Sequence, residues 1–172
     1  MKETKYLKDN IENIQKLMRI PALRNFELDN LSNLLRLSKI RKYKDGEVII
    51  KEGDTDPWLY FLLDGEVKIV KNEHEISRIK RMGEIFGEMR LIDKQDRSAS
   101  VVSVDESMCL AVNTGAGDRI MLEDNREERL DFLLLLYRIF AEYLSARLRL
   151  ANDELIKAKE DIEYYKSKLN IK

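Results

Sequence analysis

Between Lys42 and Val112 the chain is a series of short β-prone runs: Glu47 to Lys51, Trp58 to Leu63, Glu66 to Val70, Ile76 to Met82 and Ala99 to Val104. Glycines and Asp/Asn clusters separate them, and runs this short, closed by turn residues, favour strands over helices. The expected product is a small all-β sandwich or roll.

Helical periodicity brackets this region. Ile11, Ile14, Leu17 and Met18 share one stripe within residues 5 to about 40, and after a break at Pro21 a second helix is expected from about Leu28 to Leu37. Beyond the plausible turn Asn113-Thr114-Gly115-Ala116-Gly117, neither glycine nor proline occurs through Lys172. One long helix is expected there, from about residue 128 and clearest over Leu130 to Leu169. Its apolar row Leu130, Leu133, Tyr137, Phe140 and Leu144 continues as Leu148, Ala151, Leu155, Ala158, Ile162, Tyr165 and Leu169, with a four-residue stutter at Leu148. Phe132, Leu134, Leu135, Leu136 and Ile139 make the first half apolar nearly all round, so it should be buried on more than one side. The narrower seam beyond Leu148 has charged flanks and predicts a coiled coil, hence a homodimer with paired, parallel helices. The expected organisation is N-terminal helices over 1–40, a β-roll over 41–113 and C-terminal helices over 114–172.

At 172 residues the chain suits one domain with an additional element. Its 31 basic and 32 acidic residues leave a net charge of -1, which supplies no general basic field for nucleic acid or an anionic membrane. No apolar run approaches the roughly 20 residues of a membrane span, and no signal-peptide core follows Met1 to Lys5, so a cytoplasmic protein is expected. Cys109 is read as a small core residue and His74 as part of a solvated hairpin loop. With one cysteine and one histidine, a metal centre or a serine triad lacks its parts, and no enzymatic activity is expected.

Residues 86 to 104 are the chemically distinctive stretch. Gly87 opens a short helix, Glu88 stands beside it, and Arg97 follows nine residues on. Amides at a helix start favour an anion, a guanidinium adds a two-pronged clamp for phosphate oxygens, and Glu88 can accept hydrogen bonds from sugar hydroxyls. A surface pairing of Glu88 with Arg97 is the plainer alternative, and it leaves the glycine spacing unexplained.

The stretch resembles the phosphate-binding cassette of cyclic nucleotide-binding domains, found in bacterial catabolite activators, kinase regulatory subunits and cyclic-nucleotide-gated channels. Phe86, Gly87, Glu88, Met89, Leu91, Ile92, Arg97, Ser98, Ala99 and Val101 fit that pattern, whereas Arg90 stands where a small residue is usual. Upstream, Tyr43 to Asp54 is similar to the family's first strands and Tyr60 to Ile69 to the hairpin that follows. Gly46, Gly53, Gly65, Gly83 and Gly87 fall on family turns, so the resemblance spans roughly residues 20 to 150.

The resemblance implies a mainly β fold with flanking helices: a double-stranded β-helix, or jelly-roll-like roll, with an internal phosphate-binding helix and a long C-terminal helix. It implies cAMP, possibly cGMP, as ligand, with no cofactor and no metal. The expected ligand-binding residues are Phe86, Gly87, Glu88, Met89, Arg90, Arg97, Ser98 and Ala99, with Ser100, Tyr137, Arg138 and Tyr143 as possible base contacts. Because one helical pattern fills the chain after Leu130, no second helix is expected to enter a DNA groove. The implied role is a regulatory sensor whose C-terminal helices switch on binding and signal to an effector protein, either standing alone or as part of a longer protein. The alternative is a degenerate member of the fold acting as a dimerising scaffold.

Overall fold

The computed structural model describes residues 1–5, 7–8, 11–20, 23–24, 27–90, 94–115 and 126–168, with backbone alone at 30, 126–129, 131–133 and 135. Pro21, Leu91, Ile92, the Ala116-Gly117 half of the expected turn, Leu169 and the side chains of Phe132, Leu133 and Leu135 lie outside this description. Two long strands, β4 (Trp58–Lys71) and β7 (Ser100–Asn113), pair antiparallel from Trp58 opposite Asn113 to Val70 opposite Ser100. Shorter strands complete the sheet. Along β7 lie β2 (Ser38–Tyr43) and β3 (Val48–Ile50); along β4 lie β5 (His74–Ile79) and β6 (Ile85–Phe86); β1 (Lys2–Glu3) borders β2.

The β4–β7 ribbon bends at its middle into a roll. Its register shifts between Leu62 and Asp64 and again between Asp64 and Glu66, beside Gly65 (φ 86°) on one strand and Asp105 (φ 59°) on the other. Such irregularities add local bend and twist. The expected turn of a Tyr60 to Ile69 hairpin at Gly65 is therefore a corner within one continuous strand. The chain reverses instead at Asn72 and Glu73, whose φ values of 48° and 66° suit a tight hairpin. His74 is exposed at the first position of β5, opposite Lys71.

Alternation along the ribbon serves two cores, which is why Trp58 to Leu63 reads as an unbroken apolar run. Tyr60, Leu62, Cys109 and Ala111 point into the roll with Tyr43, Ile50, Val67, Ile79, Phe86 and Val101. Leu59, Phe61, Leu110 and Val112 point outward, under the helices. Burial pushes the Cys109 thiol up to about 12 and holds it in its inert neutral form, consistent with a core residue.

The helical layer consists of α1 (Ile11–Leu17), α2 (Leu28–Arg36) and α3 (Arg126–Lys168). Leu17, Leu31, Leu34 and Leu35 from the first two meet Leu136, Ile139 and Phe140 from the third. The expected stripe on α1 narrows, since Ile11 and Met18 are exposed. Strands at 2–3 and 38–43 extend the sheet into the region expected to be helical. At 43 residues α3 is about 64 Å long, and its residues from Leu148 onward are exposed. Among the described residues no helix is long and apolar enough to cross a membrane.

Two glycines separate backbone strain from crowding. Gly53 has φ 82° with open space where a Cβ would sit, whereas a Cβ on Gly65 would lie 2.3 Å from the Glu106 carbonyl oxygen. Gly53→Ala should cost about 1–2 kcal/mol from the left-handed backbone alone. Gly65→Ala should cost more, roughly 3 kcal/mol, because the partner strand must also move. Urea unfolding of both variants checks the difference; equal losses would show that the corner is not tightly packed.

Candidate functional site

Arg97 is 5% exposed, and its guanidinium is the densest polar node of the molecule described here. Nε donates to Asp56 Oδ2 at 3.1 Å, and Nη2 donates to Asp56 Oδ1 at 2.8 Å and to the carbonyls of Asp56 and Trp58. Nη1 donates to the Gly87 carbonyl at 2.7 Å. The backbone is pinned as firmly: the Arg97 amide donates to Asp54 O and its carbonyl accepts from the Gly53 amide, both at 2.9 Å. One step along, the Glu52 amide donates to Ser100 Oγ at 2.9 Å. The β3–β4 turn thus holds the far end of the cassette from below. A Cβ on Gly87 would meet Arg97 Nη1 at 2.8 Å and Ile50 Cδ1 at 2.9 Å, so the close approach, together with φ 81°, requires glycine there.

A cavity of about 160 Å³ opens beside this node. Ile50, Ile69, Ile76 and Val101 form an apolar wall, and Glu88, Arg90, Arg97, Ser98 and Arg147 supply polar and charged groups. Phe86, stacked on Tyr60 with ring centroids 5.1 Å apart, forms part of the lining with Gly87, Met89 and Ala99. Glu88 is only 7% exposed. Burial raises its carboxyl above the ordinary range, offset in part by its own amide and by the positive fields of Arg147 and Arg97. Arg97 pairs with Asp56 and not with Glu88, so the surface-pair reading of these two residues fails.

The cassette helix, expected from Gly87, begins two residues later, with helical backbone at Met89 and Arg90 and the Lys94 amide donating to Arg90 O at 2.9 Å. The Arg90 side chain neither reaches Glu88 nor projects freely into solvent. Its Nη1 donates to the Gln95 carbonyl at 2.8 Å and lies 3.8 Å from Asp96, which clasps the cassette loop to itself. Ser98 is exposed, with Oγ 3.5 Å from Met89 Sδ.

The candidate base contacts separate. Ser100 is turned to the Glu52 amide and does not line the cavity. Tyr137 is exposed, and Arg138 pairs with Glu142 at 3.1 Å. Neither lines the cavity, because the face of α3 that meets the roll carries Leu136, Ile139 and Phe140. Tyr143 continues that face: it is half-buried and packs against the core, where burial raises its phenol and the fields of Arg147 and Glu88 act on it. The next turn brings Arg147, which sequence reasoning missed. It lines the cavity while making no hydrogen bond or ion pair among the described residues. Its signal was the spacing from Phe140 and Tyr143, seven and four residues back, on a face that the apolar seam does not mark. Asp56 was missed too, since a lone aspartate before Pro57 reads only as a turn residue.

A guanidinium, a desolvated carboxylate and an apolar wall around one cavity suit a small ligand with an anionic group, hydroxyls and a flat body. Residues 40–124 match the family model of the cyclic nucleotide-binding domain. They are a cyclic nucleotide-binding domain. A cGMP-dependent protein kinase of Toxoplasma gondii is 34% identical over 82 residues, which is 48% of this chain and 8% of that protein. A cAMP-dependent protein kinase type II regulatory subunit of Drosophila melanogaster is 38% identical over 96 residues, 54% of this chain and 24% of that one. The chain thus spans under a third of either relative. The fold is that of a cyclic nucleotide-binding domain from Methylobacillus flagellatus, with a TM-score of 0.69 at 20% identity over 86% of this chain and 84% of that one.

The raised Glu88 carboxyl of the domain gives a pH signature. A folded-state value above the ordinary one near 4.5 means that the folded protein holds the proton more tightly. That stabilisation is complete below the unfolded value and is lost as pH rises through the folded value. Glu88→Gln should therefore stabilise the ligand-free domain at pH 7, raising its melting midpoint roughly 2–4 °C per kcal/mol relieved, with no gain at pH 4. Thermal melts across that range test it; an equal effect at both ends would show that desolvation of Glu88 is not the cause.

Proposed function

We propose that the protein is a cyclic purine nucleotide sensor, with cAMP as its ligand, acting in the cytoplasm as a homodimer that signals through α3 to an effector protein. The observation that carries this reading is the buried Arg97 node, set against Gly87 and beside the desolvated Glu88. Of the five guanidinium N–H groups, the bonds to Asp56, Trp58 and Gly87 leave one on Nη1 to meet an added anion. The cyclic phosphate takes that donor and the cassette amides, and a ribose hydroxyl donates to Glu88, whose negative charge is compensated when the hydroxyl arrives. The purine lies against the wall of Ile69, Ile76 and Val101, and Arg147 closes over it from α3. The Drosophila relative's name supports cAMP.

No bond of the nucleotide is made or broken in this reading; the domain binds and reports. Ligand that touches both the cassette and Arg147 favours the arrangement with α3 drawn against the roll, and a differential affinity of a few kcal/mol suffices to shift that equilibrium. A second reading, cGMP, has its own observation in Arg147. A guanidinium offers donors only, which match the N7 and O6 acceptors of guanine.

Calorimetric titration with cAMP and with cGMP tests both readings. Wild type should bind one of them. Glu88→Gln should weaken that binding roughly tenfold or more, in keeping with loss of a hydrogen bond to a charged group. Arg97→Ala should abolish it and also lower folding stability by about 1–3 kcal/mol, because Asp56 loses its partner. No heat with either nucleotide would overturn the sensor reading in favour of the dimerising scaffold.

A further inference from the structure

Two arginines of the cassette line the cavity, and they are held in opposite ways. Arg97 is buried, and both carboxylate oxygens of Asp56 cover its charge. Arg90 lies at the rim, with 24% of its side chain exposed. Its hydrogen bond goes to a neutral group, the Gln95 carbonyl at 2.8 Å, and the acid nearest to it, Asp96, is 3.8 Å away and 67% exposed. A pair so distant and so exposed to water does little to neutralise the charge. Four of the five guanidinium N–H groups of Arg90 are thus without a hydrogen bond, where Arg97 keeps one.

Glu88 shows a matching surplus of acceptors. Its carboxyl is buried at the same cavity, its hydrogen bond is with its own amide, and it forms no ion pair among the described residues. A carboxylate presents two oxygens with about four lone-pair sites, which is room for two neighbouring hydroxyls.

Both surpluses bear on the form of the nucleotide. A 3′,5′-cyclic phosphate carries one negative charge and blocks the 3′ oxygen, so its ribose offers Glu88 a single hydroxyl. Opening the ring at the 3′ oxygen gives the 5′-monophosphate, with one more terminal phosphate oxygen, a charge of about −1.5 to −2 at pH 7 and a free 2′,3′-diol. The added oxygen matches the uncommitted donors of Arg90, and the added hydroxyl matches the second oxygen of Glu88.

We propose that the cavity also takes open nucleoside 5′-monophosphates, and that Arg90 is the residue that admits them. The inference rests on the sensor reading above and extends it from the cyclic nucleotide to its hydrolysed form. Glu88 spans the diol while Arg90 meets the added phosphate oxygen. An uncharged side chain at position 90 would leave that oxygen unpaired, so this position sets the selectivity for the cyclic form.

Calorimetric titration of the full chain with cAMP, adenosine 5′-monophosphate and adenosine, at about pH 7 where the monoester is mostly a dianion, tests the proposal. The guanosine set replaces it if cGMP is the cyclic ligand. Wild type should bind the 5′-monophosphate within roughly tenfold of the cyclic nucleotide, and the nucleoside more weakly than either. Arg90→Ala should widen the gap between the two nucleotides roughly tenfold or more, as expected for loss of a hydrogen bond between charged groups. Loosening of the loop that Arg90 clasps would weaken both nucleotides alike, so their ratio isolates the phosphate contact, and the wild-type ratio needs no variant to fold. A wild type that binds the cyclic nucleotide but holds the 5′-monophosphate more than roughly tenfold less tightly would overturn the inference and leave the sensor standing. A ratio that Arg90→Ala leaves unchanged would do the same. Binding of neither nucleotide would remove the sensor reading and this inference with it.

Discussion

A guanidinium taken out of water must have its donors met within the protein, and the way Arg97 meets them joins both ends of the cassette to a turn 41 residues away. Asp56 and the Trp58 carbonyl come from the start of β4, the Gly87 carbonyl from the opening of the cassette, and Arg97 from its close. The cassette is thereby fixed at both ends before any ligand arrives. A guanidinium so committed cannot swing to find an anion, so its remaining N–H is presented in place, and little conformational entropy is left to lose on binding.

The rest of the architecture supplies walls for that node. Because the ribbon half made by the start of β4 and the end of β7 is buried on both faces, it seals the roll interior and supports the helices, and the corner at Gly65 and Asp105 folds the other half round to form the apolar wall. The same economy holds in α3. One face anchors to the outer core through Leu136, Ile139 and Phe140 and delivers Arg147 to the cavity two turns later; an adjacent face stays apolar and exposed. A displacement of α3 at the cavity is therefore also a displacement of the seam.

Much of this was legible in the sequence, and the parts that were not share a cause. The cassette was readable because Gly87, Glu88 and Arg97 act within a dozen residues, where spacing reports geometry. Asp56 was not, since it stands 41 residues from Arg97 and only the closed sheet brings them together. The corner at Gly65 was read as a turn because a glycine between apolar runs carries the same signal whether a strand reverses or bends. On α3 the sequence showed more apolar positions than one face can hold, and burial was needed to sort Phe140 from Ala141. That sorting sets Tyr137 and Arg138 off the cavity lining and Arg147 on it.

In the proposed sensor, ligand contact at the cassette and at Arg147 is a single event. Hydrogen exchange of the full chain, with and without the nucleotide that binds, tests it most directly. Slowed exchange in the cassette accompanied by slowed exchange across Tyr143 to Leu150 is the predicted result; slowing in the cassette while Tyr143 to Leu150 is unchanged would contradict it.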